Sequence, residues 1–178
     1  MEKLELEDFD QDLPQHLNLA VMMEKQPSTH PWADFSYQAL GVVVRDREED
    51  KSVTRVYQNG EVEHFLVTGL HPRLHPDECE SYYHNLMSPE PGCFIVADQP
   101  DSSAEMPVPY LVSMSFDEVH AYLEGDEQIY SVAIPPELYR WAEAFVLTNY
   151  IAIKKTKRKL KNWHEPEKPG TTPGGESS

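Results

Sequence analysis

The chain has 178 residues and a formal net charge of -16, which suits one acidic domain with short extensions at its ends. Because such an acidic surface repels the phosphate backbone of DNA and RNA, nucleic acid is excluded as a general partner. The N-terminus is acidic where a signal peptide is basic and then apolar, and no apolar run is long enough to span a bilayer. We therefore expect a cytoplasmic protein with no membrane insertion.

The two ends differ in composition from the middle of the chain. Residues 1–14 are acidic and end at a proline, which predicts a flexible arm. Residues 162–178 are rich in Pro, Gly, Ser and Thr, which predicts a disordered tail. The range between them, residues 15–161, is predicted to form a single α+β domain.

The first elements are predicted to be strands. Residues 16–24 alternate between apolar and polar side chains, which is typical of a half-buried strand. Residues 37–45 are apolar on both faces, which favours a central strand. The apolar side of the first strand consists of Leu17, Leu19, Val21 and Met23.

A hairpin follows. Asn59-Gly60 separates two strand-like runs at residues 53–58 and 61–68, and Asn-Gly accepts the positive φ angles of a two-residue turn. The two runs are therefore predicted to be antiparallel neighbours.

Two short helices alternate with three further strands in the second half. Pro76 opens the first helix, which should stop near Ser88. Ser115 and Glu118 fit a capping box for the second helix, in which each side chain bonds the other residue's backbone amide. The three strands are predicted at residues 93–97, 108–114 and 128–134.

The longest helix is predicted to start at Pro135-Pro136, because apolar residues recur after it at helical spacing. The order of elements predicts an α+β fold: a mostly antiparallel sheet with two short helices and one long C-terminal helix packed on one face. The apolar stripe of the long helix consists of Leu138, Trp141, Ala142, Phe145 and Val146.

Four side chains between positions 71 and 84 are of types that bind zinc. Pro72 and Pro76 prevent the continuous helix that would bring them together, so surface or capping roles are favoured over a metal site. The four are His71, His75, Cys79 and His84.

No pattern for catalysis or cofactor binding stands out. There is no Gly-x-Ser-x-Gly, and no glycine-rich turn precedes a helix as in phosphate-binding loops. Cys93 lies within an apolar run, where a thiol is usually inert. We expect no catalytic residue, metal or cofactor, and a protein that is not an enzyme.

Two segments are candidates for binding a protein partner. In the first, Pro31 precedes Trp32, and a tryptophan fixed by a proline is suited to a binding hot spot. The alternative is that Trp32 covers the core.

The second candidate is basic: residues 154–161 hold six of the 15 Lys and Arg residues. It is either a helix end whose cations suit the helix dipole or a docking segment for an acidic partner. A smaller possibility is contact with nucleic acid or anionic lipid. The candidate residues are Lys154, Lys155, Lys157, Arg158, Lys159 and Lys161, with Trp163 just beyond.

The order of several short segments resembles an uncharacterised bacterial family over roughly residues 16–161. The resemblance is marked by Val21-Met22-Met23-Glu24-Lys25, His30-Pro31-Trp32, Ala39-Leu40-Gly41-Val42-Val43, Tyr82 to Pro89, Glu118 to Glu127, Pro135-Pro136 with Trp141, and the basic Lys154–Lys161.

Relatives of that family are typically encoded beside molybdenum-dependent formate dehydrogenases and their maturation factors. The resemblance therefore implies an accessory protein that binds a formate dehydrogenase subunit or a maturation factor. Some relatives are labelled molybdopterin-guanine dinucleotide biosynthesis protein A, which implies a nucleotidyltransferase as an alternative. That enzyme class has a glycine-rich nucleotide loop after its first strand, and Glu24–Pro27 contains no glycine. A further alternative is a structural subunit kept in the mature complex.

Overall fold

The computed structural model of the chain describes residues 16–156, and their side chains as far as Tyr150. The predicted flexible arm (residues 1–14) and the predicted disordered tail (residues 162–178) lie outside the described residues.

The first half of the chain forms a four-stranded antiparallel sheet, the first sheet, with the strand order β2-β1-β4-β3. The predicted antiparallel hairpin is confirmed, but its two-residue turn is Gly60-Glu61 and not Asn59-Gly60. Asn59 pairs with Val62 as the last residue of β3, and Gly60, with a φ of 62°, is the residue of positive φ in the turn. The strands are β1 (Asn18–Pro27), β2 (Phe35–Arg45), β3 (Val53–Asn59) and β4 (Val62–Leu70).

The second sheet also has four strands, in the order β5-β7-β6-β8. Its β5–β7 pair is parallel and its other pairs are antiparallel. The predicted α+β class is confirmed, but the strands divide between two sheets, and the two-residue β5 was not predicted. The strands are β5 (Pro72–Arg73), β6 (Gly92–Ala97), β7 (Pro109–Ser113) and β8 (Gln128–Ala133).

Three α-helices join the sheets, and the last of them is the predicted C-terminal helix. A 3-10 turn (Pro76–Glu78) leads directly into α1, and α2 follows β7. None of the helices in the described range is both long and apolar enough to cross a membrane. The helices are α1 (Cys79–Leu86), α2 (Phe116–Leu123) and α3 (Pro136–Thr156).

The core has two parts because the second sheet is covered on both faces. Ile95 belongs to the main cluster, which joins the first sheet to α1 and α3, whereas its neighbour Val96 belongs to a smaller cluster with Val119 of α2. Successive strand residues point to opposite faces, so α2 lies on the face of the second sheet opposite to α3. The four apolar residues predicted for the first strand are all buried in the main cluster, three of them in β1 and one, Leu17, just before it: Leu17, Leu19, Val21 and Met23.

The prediction that residues 37–45 form a central strand is wrong, because β2 is an edge strand of the first sheet. A register shift between Met22 and Met23 leaves Leu40 unpaired between Ala39 and Gly41, and its side chain is 44% exposed. Apolar residues on both faces of β2 therefore reflect a bulge and not burial on both sides.

Candidate protein-binding surface

Trp32 lies in the loop that joins β1 to β2. Its side chain is 91% exposed, so it does not cover the core, which was the alternative interpretation of the sequence. An exposed tryptophan offers a large apolar surface with few rotatable bonds, a property common in binding hot spots.

Hydrogen bonds inside the loop fix its shape. The Ser28 amide donates to the Asp34 carbonyl at 3.0 Å, and the Ala33 amide donates to the His30 carbonyl at 3.3 Å. The His30 amide donates to Ser28 Oγ at 3.0 Å. Pro31 has a restricted φ, which further limits the backbone before Trp32. The loop therefore presents its tryptophan from a defined turn.

The strands below this loop are linked by charged side chains. Lys25 Nζ lies 4.0 Å from the centre of the Phe35 ring and 3.4 Å from the Glu63 carboxylate. Arg55 contacts the same carboxylate at 2.9 Å, and its hydrogen bond is the main cause of the lowered pKa of Glu63. These contacts join β1, β2, β3 and β4 at the end of the sheet that carries the loop.

A polar row crosses the outer face of the first sheet, one residue from each strand. Gln38 Nε2 donates to Glu24 Oε1 at 2.6 Å, and His64 Nε2 lies 2.8 Å from Glu24 Oε2. The His64 ring lies against Tyr57, with 4.8 Å between the ring centres. The hydrogen bond with His64 is the main cause of the lowered pKa of Glu24.

This row was not predicted from the sequence. Its members are separated by up to 40 positions, as for Glu24 and His64, and they become neighbours through the strand register. Pairing a carboxylate in one predicted strand with a histidine in the next would have been the available signal.

A cleft lies next to β2 where the two sheets meet. It has a volume of about 170 Å³ and is lined by Phe35, Tyr37, Glu105 and Tyr130 among others. The Tyr37 hydroxyl donates to the Ala104 carbonyl at 2.8 Å, which fixes the loop between β6 and β7 over the cleft. The loop between β6 and β7 is therefore held against β2, the strand that follows the Trp32 loop.

The four zinc-type side chains have other neighbours. His71 Nδ1 lies 3.0 Å from the Leu17 carbonyl, and His84 Nε2 lies 3.8 Å from the Glu80 carboxylate. The His75 backbone amide donates to the Tyr82 hydroxyl at 2.9 Å. Across residues 16–156, no three His, Cys, Asp or Glu side chains are placed to hold a metal ion.

Both cysteines are buried free thiols. Burial raises the pKa of Cys93 to about 12, and burial is also the main cause of the raised pKa of Cys79. A thiol with so high a pKa is protonated at neutral pH and is a poor nucleophile.

The basic candidates fall largely outside what the structure describes. The backbones of Lys154 and Lys155 belong to α3, and their side chains are beyond the described ones. The remaining candidates lie outside the described residues: Lys157, Arg158, Lys159, Lys161 and Trp163.

The two sheets and three helices define an α+β domain whose first hairpin presents an exposed tryptophan. The chain belongs to a family described as "Protein of unknown function (DUF3305)", whose model matches residues 18–159. No curated protein and no solved structure matches the chain.

Proposed function

We propose that this chain is a non-catalytic accessory protein that binds another protein through the loop carrying Trp32. The 91% exposure of Trp32, in a loop closed by its own hydrogen bonds, is the observation that supports this proposal most. A rigid loop loses little conformational entropy on binding, so more of the contact energy contributes to affinity.

The proposed partner is a subunit of a molybdenum-dependent formate dehydrogenase or one of its maturation factors. This part of the proposal depends on the family resemblance of residues 16–161, together with a cytoplasmic location. The basic candidates from Lys154 to Lys161 would then be a second contact for an acidic region of the same partner.

A nucleotidyltransferase of molybdopterin cofactor biosynthesis is the second candidate function. In such enzymes a glycine-rich loop leads from the first strand to a helix, whose N-terminus binds phosphate. Here β1 leads through a loop without glycine into the antiparallel strand β2. This connection favours the binding role, and calorimetry with GTP and magnesium separates the two: micromolar binding would support the enzyme.

A permanent structural subunit is the third possibility. It predicts co-purification with the finished formate dehydrogenase in a fixed ratio, whereas an assembly factor is absent from the finished enzyme. The ratio of the two proteins in the purified enzyme is the measurement.

The decisive experiment compares two exposed apolar residues. Trp32→Ala should weaken binding to a purified formate dehydrogenase subunit at least tenfold, because truncating a hot-spot residue costs about 2 kcal/mol or more. Leu147→Ala, on the exposed side of α3, is the matched control and should leave binding unchanged. Thermal unfolding should be the same for both variants.

The proposal fails if the wild-type chain binds neither a formate dehydrogenase subunit nor a maturation factor, and deleting it leaves formate oxidation intact. Equal losses in the two variants would remove the role of Trp32 while leaving a binding function elsewhere on the surface.

A further inference from the structure

The outer side of α2 has an apolar stripe that is exposed to solvent. Phe116, His120 and Leu123 follow each other at helical spacing, and the side chains of Phe116 and Leu123 are 56% and 53% exposed. The rings of Phe116 and His120 lie 5.4 Å apart. The core contact of α2 is made by Val119, which borders the stripe, three residues after Phe116 and four before Leu123. The described fold therefore leaves more than half of the Phe116 and Leu123 side chains uncovered.

The stripe continues onto the second sheet. The Phe94 ring meets Phe116 edge to face, with 5.9 Å between the ring centres. Phe94 is paired with Ser131, and Gly92 with Ala133, so these four residues share the α2 face of the sheet.

A cleft of about 510 Å³ opens beside these residues, with Glu90, Gly92 and Ser131 in its lining. A Cβ atom on Gly92 would lie 3.1 Å from Ser131 Oγ and 3.7 Å from the Phe94 ring, so the glycine leaves room there. We call the stripe, Phe94 and this cleft the α2 surface.

The charge around the α2 surface is mainly negative, although Arg73 of β5 lies 3.5 Å from the Glu118 carboxylate of α2. Residues 74–139, which include α1, α2 and three strands of the second sheet, contain 13 Asp and Glu and no Lys or Arg. Asp117 and Glu124 are exposed next to the stripe on α2, and Glu90 lines the cleft. Basic side chains of an occupant would offset the excess of negative charge that Arg73 leaves around this surface.

We propose that the α2 surface binds a basic amphipathic segment of a partner protein. Apolar side chains of that segment would cover Phe116 and Leu123 and enter the cleft, while its Lys and Arg side chains would lie opposite Asp117, Glu124 and Glu90. This mode is a helix in a groove, with charges at the rim that set orientation and the rate of encounter. The proposal goes beyond the binding role of the Trp32 loop and does not depend on it.

The described start of the chain's own basic segment lies away from the cleft. Tyr139 of α3 lines the cleft, and Lys154 is 15 residues further along the same helix. At 1.5 Å per residue the helix takes Lys154 about 22 Å away from Tyr139. In addition, α3 lies on the opposite face of the second sheet. We therefore assign the occupant to another protein.

A designed probe tests the proposal. A helical peptide of about 18 residues with Leu on one side and Lys on the other is titrated into the full-length, ¹⁵N-labelled chain. The largest changes in backbone amide chemical shift should occur in residues 92–94, 116–124 and 131–133. A peptide with the same Leu positions and Glu in place of Lys should not bind, and added salt should weaken the Lys peptide.

Paired variants separate a specific surface from general charge attraction. Phe116→Ser should weaken the Lys peptide about tenfold, whereas Leu147→Ser, which removes a side chain of the same 56% exposure from α3, should not. Asp117→Lys combined with Glu124→Lys should weaken it further. Trp32→Ala should have no effect on this peptide, which keeps the result independent of the proposed function.

Three results would overturn the proposal. The first is a set of amide shifts located away from the α2 surface. The second is equal weakening by Phe116→Ser and Leu147→Ser in variants whose spectra remain those of the folded chain. In the third, replacing Lys154, Lys155, Lys157 and Arg158 by Gln shifts the amides of residues 116–124 without any peptide, which would identify the chain's own basic segment as the occupant.

Discussion

The backbone of Lys51, in the loop between β2 and β3, leaves no room for a side chain at Gly69. The φ of Gly69 is 76°, and a Cβ there would lie 2.5 Å from the Lys51 backbone nitrogen and 2.6 Å from Lys51 Cα. An alanine would meet both an unfavourable φ and a backbone that cannot move aside like a side chain.

We expect Gly69→Ala to lower the free energy of unfolding by about 2 kcal/mol or more, because strain at positive φ alone costs about 1–3 kcal/mol. Urea unfolding gives the value. Gly41→Ala is the control, since no atom lies within 4 Å of its Cβ position and its φ is not positive. A loss in Gly41→Ala as large as in Gly69→Ala would contradict the steric explanation.

Glu24 should make the stability of the first sheet depend on pH. Its pKa is lowered in the fold, chiefly by the hydrogen bond with His64 and then by the one from Gln38. A carboxyl group whose pKa is lower in the folded than in the unfolded state stabilises the fold at pH values above its unfolded-state pKa. This stabilisation is lost as the pH falls through the folded-state pKa. The loss therefore begins below about pH 4.5.

The variant Glu24→Gln should be less stable than wild type at pH 6, and the difference should shrink as pH falls below about 4.5. Urea unfolding at several pH values measures it. Glu61→Gln, in the exposed turn before β4, is the control. A difference between wild type and Glu24→Gln that is the same at every pH would mean that the contact does not depend on the charge of Glu24.

At the scale of the elements, Ser115 connects α2 to α1. Its Oγ accepts from the Glu118 amide at 3.0 Å and donates toward Glu78 Oε2, 2.7 Å away. Ser81 Oγ lies 3.1 Å from the same hydroxyl oxygen. The helix cap and the contact between two helices therefore share one buried side chain.

We expect Ser115→Ala to destabilise the fold by about 1–3 kcal/mol, the sum of a lost cap and a carboxylate left with one partner fewer. Ser102→Ala is the control, because Ser102 makes a similar local bond to the Ala104 amide at 3.2 Å in an exposed loop. Thermal unfolding compares the two. Similar losses in both variants would show that the connection to α1 contributes nothing beyond the local turn.

Local signals in the sequence predicted the elements whose cause is local. The β3–β4 hairpin was predicted because a short glycine turn determines it, although the turn forms at Gly60-Glu61, one residue after the predicted Asn59-Gly60. The Ser115 cap was predicted because its acceptor and donor are three residues apart. The returning bond of the capping box was predicted wrongly: Ser113 Oγ donates to Glu118 Oε2 at 2.7 Å and accepts from the Ser115 amide at 3.0 Å. A third side chain in that position leaves no trace in the spacing of Ser115 and Glu118.

Features that depend on the assembly of the sheets were not predictable in this way. Among the described strands, β2 lies at the edge because it pairs with β1 alone, while β1 pairs with β4 on its other side. The apolar run of residues 37–45 does not indicate how many strands pair with it. Trp32 could be named as a candidate from the sequence, but its exposure depends on where the loop lies. The stripe of Phe116 and Leu123 was hidden because either side of α2 could have faced the sheet.

At the scale of the whole molecule, charge separates along the chain. Arg45, Arg47, Lys51 and Arg55 lie in or near the first sheet, where Arg45 pairs with Glu49 and Arg55 with Glu63. Residues 74–139, which form α1, α2 and three strands of the second sheet, have 13 carboxylates and no Lys or Arg, and Arg73 of β5 pairs with one of these carboxylates, that of Glu118. One part of the fold is internally compensated, and the other repels itself.

We expect salt to stabilise this protein at pH 7, because screening weakens the repulsion among the carboxylates of residues 74–139 more than it weakens a few exposed ion pairs. Raising NaCl from about 20 to about 200 mM should raise the Tm by about 3 °C, which corresponds to about 1 kcal/mol at this chain length. Choline chloride at equal ionic strength should have the same effect, since screening does not depend on the identity of the cation. The rise should be smaller in Asp117→Lys combined with Glu124→Lys, which lowers the negative charge around α2. A Tm that falls with salt would show instead that the ion pairs of the first sheet outweigh the repulsion in the second, and a rise with sodium alone would indicate a bound cation.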